Sequence, residues 1–365
     1  MALADREIVD RIRLIRSESV GPVTYRELLQ RYGGATEALA SIADLSRRGG
    51  RTRPLRIGSV DDAARELDTA ARAGARVIVH GTPDYPSLLH EIADAPPILF
   101  AVGHVGLLNG ESVALVGARN ASAVGMRFAR DLAGDLGRQG IVIVSGLARG
   151  IDTAAHRGAL ASGTIAVLAG GLDNVYPAEN EPLFRDICAQ GCAISEMPFG
   201  TVPQARHFPR RNRIVSGLAK AVVVIEGAAR SGSLITARLA AEQGRDVLAV
   251  PGSPLDPRAR GPNTLIKQGA ALCEGVEDVL AALSMPRRQD LHSRTVEEAA
   301  PLPIAADIDA IRSAIVANLS FAPIDIDDLA RSCDAPSPLV ATTLLELELA
   351  GRIERLPGHR VQLAA

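Results

Sequence analysis

The chain has 365 residues, of which 47% are hydrophobic and 22% charged, and a formal net charge of −2. That length exceeds one ordinary core and predicts two or three domains. The near-neutral charge excludes a general polycation, so any nucleic-acid site must be a local basic patch.

No run approaches the roughly 18 uninterrupted apolar residues of a membrane helix. The N-terminus MALADREIVDRIRLIR alternates charge with aliphatics and has no signal-peptide core. A cytoplasmic protein without membrane contact is expected. Only Lys220 and Lys267 are lysines, and neither follows a glycine, so a Walker A loop and its nucleotide chemistry are excluded. Cys188, Cys192, Cys273 and Cys333 have no His or Cys partners at zinc spacing and read as reduced core thiols.

Residues 1–82 read as a helical module. Ile8, Ile12 and Ile15 recur at helical spacing, and SVGPVTYRELLQRYG (Ser19–Gly33) puts a Gly-Pro turn ahead of an amphipathic helix with Leu28 and Leu29 inward. The turn, followed by YGGATEAL, resembles a helix-hairpin-helix or SAM-like fold. A Pro-rich connection (Thr82–Pro97) leads to six short apolar runs: Val113–Gly117, Ile141–Gly146, Thr164–Gly171, Cys192–Pro198, Ala221–Gly227 and Asp246–Gly252. β-Branched runs spaced by helical stretches mark a parallel sheet covered on both faces. An α/β, doubly wound, Rossmann-like domain is therefore predicted over 83–283.

Residues 284–306, rich in charge, Pro and Ala without period, read as a linker. Residues 307–365 offer three helices and the hairpin GRIERLPGHRVQL, the winged-helix pattern. Nine acids face five arginines there. Such a wing repels phosphates, and a partner-protein contact is expected before DNA reading.

In open parallel sheets, ligands bind outside the carboxyl ends of the strands, at loops and helix N-termini. In VALVGARNASAVG, Arg119 takes the second glycine position of a dinucleotide fingerprint and Ser122 the third, which argues against NAD or FAD. Arg119 instead suits a phosphate, the alternative being a salt bridge across the sheet rim. SGLARGIDTAAH ends a strand at Ser145 and Gly146 and turns at Gly150, freeing amides for a phosphate. There Asp152 reads as the cap of the next helix and His156 as a packed histidine. GGLDNVYPAEN puts Tyr176 on the rim, either structural or stacked on a base.

Between Arg206 and Arg213 lie Arg206, Arg210, Arg211 and Arg213 without one acid, interleaved with His207, Phe208 and Asn212. Arginines that neutralise phosphates beside rings that stack are the recipe for single-stranded nucleic acid. Two nearby prolines argue against a regular helix. EGAARSGSLITARLA ends a strand at Glu226 and opens a helix at Ser231 and Gly232, whose free amides suit another phosphate. No nucleophile elbow, H-E-x-x-H or Cys-His cluster is present. A binding protein without catalysis or cofactor is expected.

In order, GARNASAVG, SGLARGIDTAAHRGAL, VLAGGLDNVYPAEN, SEMPFG, FPRRNRIVSGL, VVVIEGAARSGSLITARLAAEQGRDVLAVPG and GPNTLIKQGA resemble the core of the DprA/Smf family, over about Pro83–Leu283. The flanks are similar to the SAM-like and winged-helix domains of longer members. The resemblance implies an extended Rossmann fold, a homodimer, and single-stranded DNA held in a basic pocket at the strand ends. It further implies protection of incoming DNA and loading of the RecA recombinase during natural transformation. On that resemblance Arg119 is the pocket arginine and Ser145–Gly146 the S-G loop. Phe199 falls near a base-contacting aromatic, and Arg211–Asn212–Arg213 is the RNR element. Family members often use lysines in this pocket; here arginine replaces them. The competing reading is a nucleotide N-glycosidase similar to LOG-type phosphoribohydrolases, whose glycine run and trailing glutamate EGAARSGSLITA lacks. The helix LITARLAAEQG and the segment after Pro251 are candidate dimer surfaces.

Overall fold

All six predicted runs form strands in the computed structural model, which describes residues 5–284, 308–356 and 359–364. They are β3 (Ser112–Val116), β4 (Val142–Ser145), β5 (Thr164–Val167), β6 (Cys192–Ser195), β7 (Ala221–Val224) and β8 (Asp246–Ala249). Two strands precede them, β1 (Arg76–Val79) and β2 (Ile98–Gly103), and β9 (Ala271–Leu272) follows. The nine make one sheet in the order β1-β2-β6-β5-β4-β3-β7-β8-β9. It is parallel from β6 to β9 and antiparallel where β2 meets β1 and β6.

Side chains alternate across this sheet as a period of two requires. Ala114, Val116, Val144, Val222 and Val224 enter one core, while Val113, Leu115, Ile143, Ala221 and Val223 enter the other. Both faces are thus buried, which is why the runs read as continuously apolar. From β3 the chain winds outward through β4, β5 and β6, then returns to the other side of β3 as β7, β8 and β9. The winding therefore reverses beside β3, and the crevice at the strand ends there is where such a fold takes ligands.

Between β6 and β7 the structure corrects one expectation. His207–Leu218 is a regular helix. Pro209 sits in its first turn, where no intrahelical N–H is needed, so proline does not break it.

The described residues fall into two compact units, one running from 65 to 284, the other built from both ends of the chain, 5–64 and 308 onward. In the second, helices Asp5–Arg16, Pro22–Tyr32 and Ala35–Arg48 form the start of the helical stretch expected over 1–82, whose end departs from it: β1 belongs to the large sheet. Helices Ile308–Asn318, Ile326–Ser332 and Ser337–Leu349 join a three-stranded sheet of β10 (Ile324–Asp325), β11 (Ile353–Leu356) and β12 (Arg360–Leu363), ordered β10-β12-β11. This is a winged helix. From residue 285 on, the expected linker lies outside the described residues.

The helix Ser337–Leu349 is apolar nearly all round, so it needs cover on two sides. Val340, Leu344 and Leu347 fill the winged-helix core, while Leu345 and Leu349 pack with Leu28, Ile42 and Leu45 of the N-terminal helices. The Ser46 hydroxyl donates to the Leu349 carbonyl at 3.1 Å. Arg355 donates to both Glu27 oxygens at 2.5 and 2.9 Å and lies 2.9 Å from Glu348. Glu346 is held by Arg312 at 2.6 Å. Part of the acidic excess is thus paired internally, and the described contact of this helix is with the chain's own N-terminal helices.

Candidate nucleic-acid interface

At the carboxyl ends of β3, β4 and β7 the sheet opens into a cleft of about 530 Å³. Among the predicted residues it brings together Arg119, Gly146, Phe208, Arg211, Asn212, Ser231 and Gly232.

After β3, the exposed Arg119 lays its guanidinium over the Phe208 ring, 5.2 Å from the centroid. Phe208 in turn meets Tyr176 edge-on at 5.5 Å. Tyr176 is 53% exposed, so this stack presents both a charge and a ring face. The amides at the neighbouring helix N-terminus are not free. Ser122 caps helix Ala123–Arg138 by accepting from Gly125 N at 2.9 Å. The Glu226 carboxylate, from the end of β7, accepts from Ser122 N at 2.9 Å and Ser122 Oγ at 2.5 Å. An internal anion fills the place a pyrophosphate takes in dinucleotide-binding folds.

After β4, Ser145 is buried and donates to Leu115 O at 2.7 Å. The expectation for Asp152 is corrected. Gly150, at φ +75°, is the N-cap of helix Ile151–Ala159. Asp152 instead turns back and accepts from Gly146 N and Ala148 N, both at 3.2 Å. Those amides hold a carboxylate and are not free for phosphate. A Cβ at Gly146 would strike the Arg211 guanidinium, so glycine there makes room for the arginine.

The arginine run divides. Arg211 is only 5% exposed and donates to Val167 O at 2.9 Å, while its Nε has no partner among the described residues. Burial pushes its pKa down to about 10, opposed by the charge of Asp152, so it stays protonated at neutral pH. Burial raises the Asp152 pKa, and Arg211 holds it down. Arg213 is buried against Glu196 and Asp94, away from the cleft. Arg210 is exposed, 3.5 Å from Glu196, and Arg206 is exposed just before the helix. Asn212 donates to Gly232 O at 3.3 Å. Phe199 packs edge-on against Phe100 at 5.8 Å and does not line the cleft. The helix Gly232–Glu242 has no side-chain cap; Ser231 and Ser233 bond each other at 2.7 Å. Its N-terminus faces the cleft.

Two participants escaped the sequence. Glu226, which holds Ser122, read only as a strand end, and Arg258, which lines the cleft, lay in a Gly/Pro loop. Burial raises the Cys188 and Cys192 thiols to about 11 and about 12, as core packing does.

His156 is the packed histidine expected, and it carries a pH dependence. The Thr164 hydroxyl donates to Ile143 O at 2.9 Å, so His156 Nδ1–H donates to Thr164 Oγ1 at 2.7 Å. Nε2 is left bare and buried. Burial, with the Arg211 charge second, pushes the pKa down to about 3. The unfolded chain takes the proton first, near pH 6.5. Stability is therefore complete above that pH and falls as pH drops toward 3, by up to about 1.4 kcal/mol per unit. Urea unfolding at pH 7.5 and 5 should show wild type losing more stability than His156→Asn. A difference between the two that is independent of pH would contradict this.

Residues 76–284 match the family described as DNA recombination-mediator protein A. Residues 5–69 match the DprA-like N-terminal HHH domain and 297–359 the DprA winged helix domain. The chain belongs to the DprA/Smf family. This DprA/Smf chain is 42% identical to protein Smf of Escherichia coli K12 over 284 residues, 76% of this chain and 75% of that one. It is 45% identical to the DNA processing protein DprA of Bacillus subtilis 168 over 222 residues, 60% and 75% of the two chains. The X-ray structure of DprA from Streptococcus pneumoniae superposes with a TM-score of 0.63 at 36% identity, covering 77% of this chain and 98% of that one. DprA from Helicobacter pylori, described with a unique single-stranded DNA binding mode, gives 0.53 at 28% identity, covering 57% and 95%. No helix among the described residues is long and apolar enough to cross a membrane.

Proposed function

We propose that this DprA/Smf protein holds single-stranded DNA, without sequence preference, in the cleft beside β3. The observation that carries the reading is the Arg119–Phe208–Tyr176 stack, set opposite the uncapped helix N-terminus at Gly232 with Arg211 at the floor. Phosphates are assigned to Arg119, Arg211, Asn212 and the Gly232 amide, the Ser231 amide being taken by Ala228 O at 2.9 Å, and a base to the ring face. Arg206 and Arg210 steer the strand from the rim. The name of the Helicobacter pylori relative supports the choice of polymer. Protection of incoming DNA, delivery to RecA, a homodimeric particle and a cytoplasmic location follow from the family resemblance. The role proposed is binding, not bond-breaking, because Asp152, the acid that lines the cleft, is committed to the Gly146 and Ala148 amides, and Glu226 to Ser122.

Stacking needs an unpaired base, so single strands should bind at least about tenfold tighter than duplex at equal salt, since each stacked base contributes about 1–3 kcal/mol. Fluorescence anisotropy with a dT oligonucleotide and a duplex of equal length reads this directly. Equal affinities would sink the proposal.

A further inference from the structure

A second basic surface lies in the other unit, where the site above has no residues. The segment RRGGRTRPLR holds Arg47, Arg48, Arg51, Arg53 and Arg56, and no acid occurs from Arg47 to Val60. It is not a loose tail. Leu55 and Ile57 pack inward against the N-terminal core. Glu18 N donates to Arg56 O at 2.9 Å, Gly58 N to Ser17 Oγ at 3.0 Å, and Arg13 Nε to Gly58 O at 3.0 Å. Arg51 N donates to Ser46 O at 3.1 Å. The result is an anchored strap whose apolar side chains and Arg51 are turned in and whose other arginines are exposed.

Two of the five are neutralised: Arg47 pairs with Asp44, and Arg51 with Glu18 at 2.8 Å. Arg48, Arg53 and Arg56 are exposed; among the described residues Glu18, already paired with Arg51, is the acid whose carboxyl also feels the Arg53 charge. Exposed Arg352, from the turn ahead of β11, joins them: a Cβ on Gly50 would lie 3.5 Å from its Nη1. Arg53 and Arg56 are at most about 11 Å apart along the chain, so their fields overlap at ordinary salt.

We propose that this strap is a second, sequence-independent contact for the phosphodiester backbone of nucleic acid. The proposal rests on the DNA-binding reading and adds a site to it. An acidic protein partner fits less well, because stable protein contacts need a buried apolar anchor. From Arg47 to Val60 the one large apolar side chain exposed is Val60, too small to serve as such an anchor by itself.

The test uses the full chain, with Arg48→Glu/Arg53→Glu/Arg56→Glu against a triple Lys variant. Two dT probes are needed, one of about 12 nucleotides, near one module's site size, and one several times longer. The Glu variant should keep the wild-type urea midpoint and the short-probe affinity. On the long probe it should lose at least about tenfold, and its salt slope should fall by about two, given about 0.7 per phosphate contact on single strands. The Lys variant should behave as wild type. Unchanged long-probe affinity and slope in the Glu variant overturns the strap while leaving the cleft intact. So does polyglutamate binding that the Glu variant loses while DNA binding persists. Failure of wild type to bind either probe would instead remove the DNA-binding reading itself.

Discussion

Replacing Arg211 by methionine is expected to cost the α/β unit about 3–5 kcal/mol and to remove most of its affinity for single strands. The reason is the carboxylate left behind. Asp152 is 7% exposed, and burial already raises its pKa; the Arg211 charge is the largest influence holding it down. Without the guanidinium, the ionised carboxylate sits uncompensated in the interior. A carboxyl whose folded pKa is raised favours the protonated state, so the penalty is full at neutral pH and shrinks as pH falls and Asp152 takes up a proton.

Adding Asp152→Asn to Arg211→Met removes that charge and should restore most of the stability. It cannot restore a phosphate contact. The double variant therefore separates fold from function: near-wild-type unfolding in urea, with affinity still low. Arg119→Ala should do the reverse of the single methionine variant, since Arg119 is exposed. Stability stays unchanged, affinity falls across all sequences, and the salt slope drops by about 0.7. A double variant that recovers binding together with stability would show that Arg211 only positions the loop and touches no strand.

This buried pair also shows where sequence reading runs out. The strands were legible because β-branched runs such as VALV and AVVV are apolar on both faces. The cleft was legible as a set of strand ends, because the winding order places Gly117, Gly146 and Gly227 at one edge. The direction of each side chain was not legible. Arg206, Arg210, Arg211 and Arg213 look alike in the sequence, yet the helical period sends Arg211 under the cleft and Arg213 into Glu196 and Asp94. The run alone could not show this, because the partners lie far away in sequence. Glu226 escaped for the same reason, being more than a hundred residues from Ser122. β1 was missed because Arg76–Val79 lies inside the stretch 1–82 read as helical, and β2 because Ile98–Gly103 directly follows the Pro-rich connection that ends at Pro97.

Affinity is expected to rise sharply, by roughly 10²–10⁴-fold, once an oligonucleotide is long enough to reach two clefts on the homodimer proposed above. One cleft offers three arginines, Arg119, Arg211 and the Asp256-paired Arg258, and a single uncapped helix end, enough for a few phosphates only. A second cleft on the same particle makes the next contact intramolecular, so its effective concentration replaces the bulk one. Of the two candidate dimer surfaces, the helix Gly232–Glu242 has little to give. Ala237, Leu239 and Ala240 are buried in its own unit, and Ile235 lines the cleft. The segment after Pro251 offers more: Leu255 is 91% exposed, and Leu272 on the edge strand β9 is 43% exposed. An edge strand with apolar neighbours favours pairing with a second copy. Leu255→Glu/Leu272→Glu should therefore give a monomer by light scattering, with short-probe affinity unchanged and the length threshold abolished. A wild-type monomer at micromolar concentration, or a threshold that survives in a monomeric variant, would refute avidity as the source of tight binding.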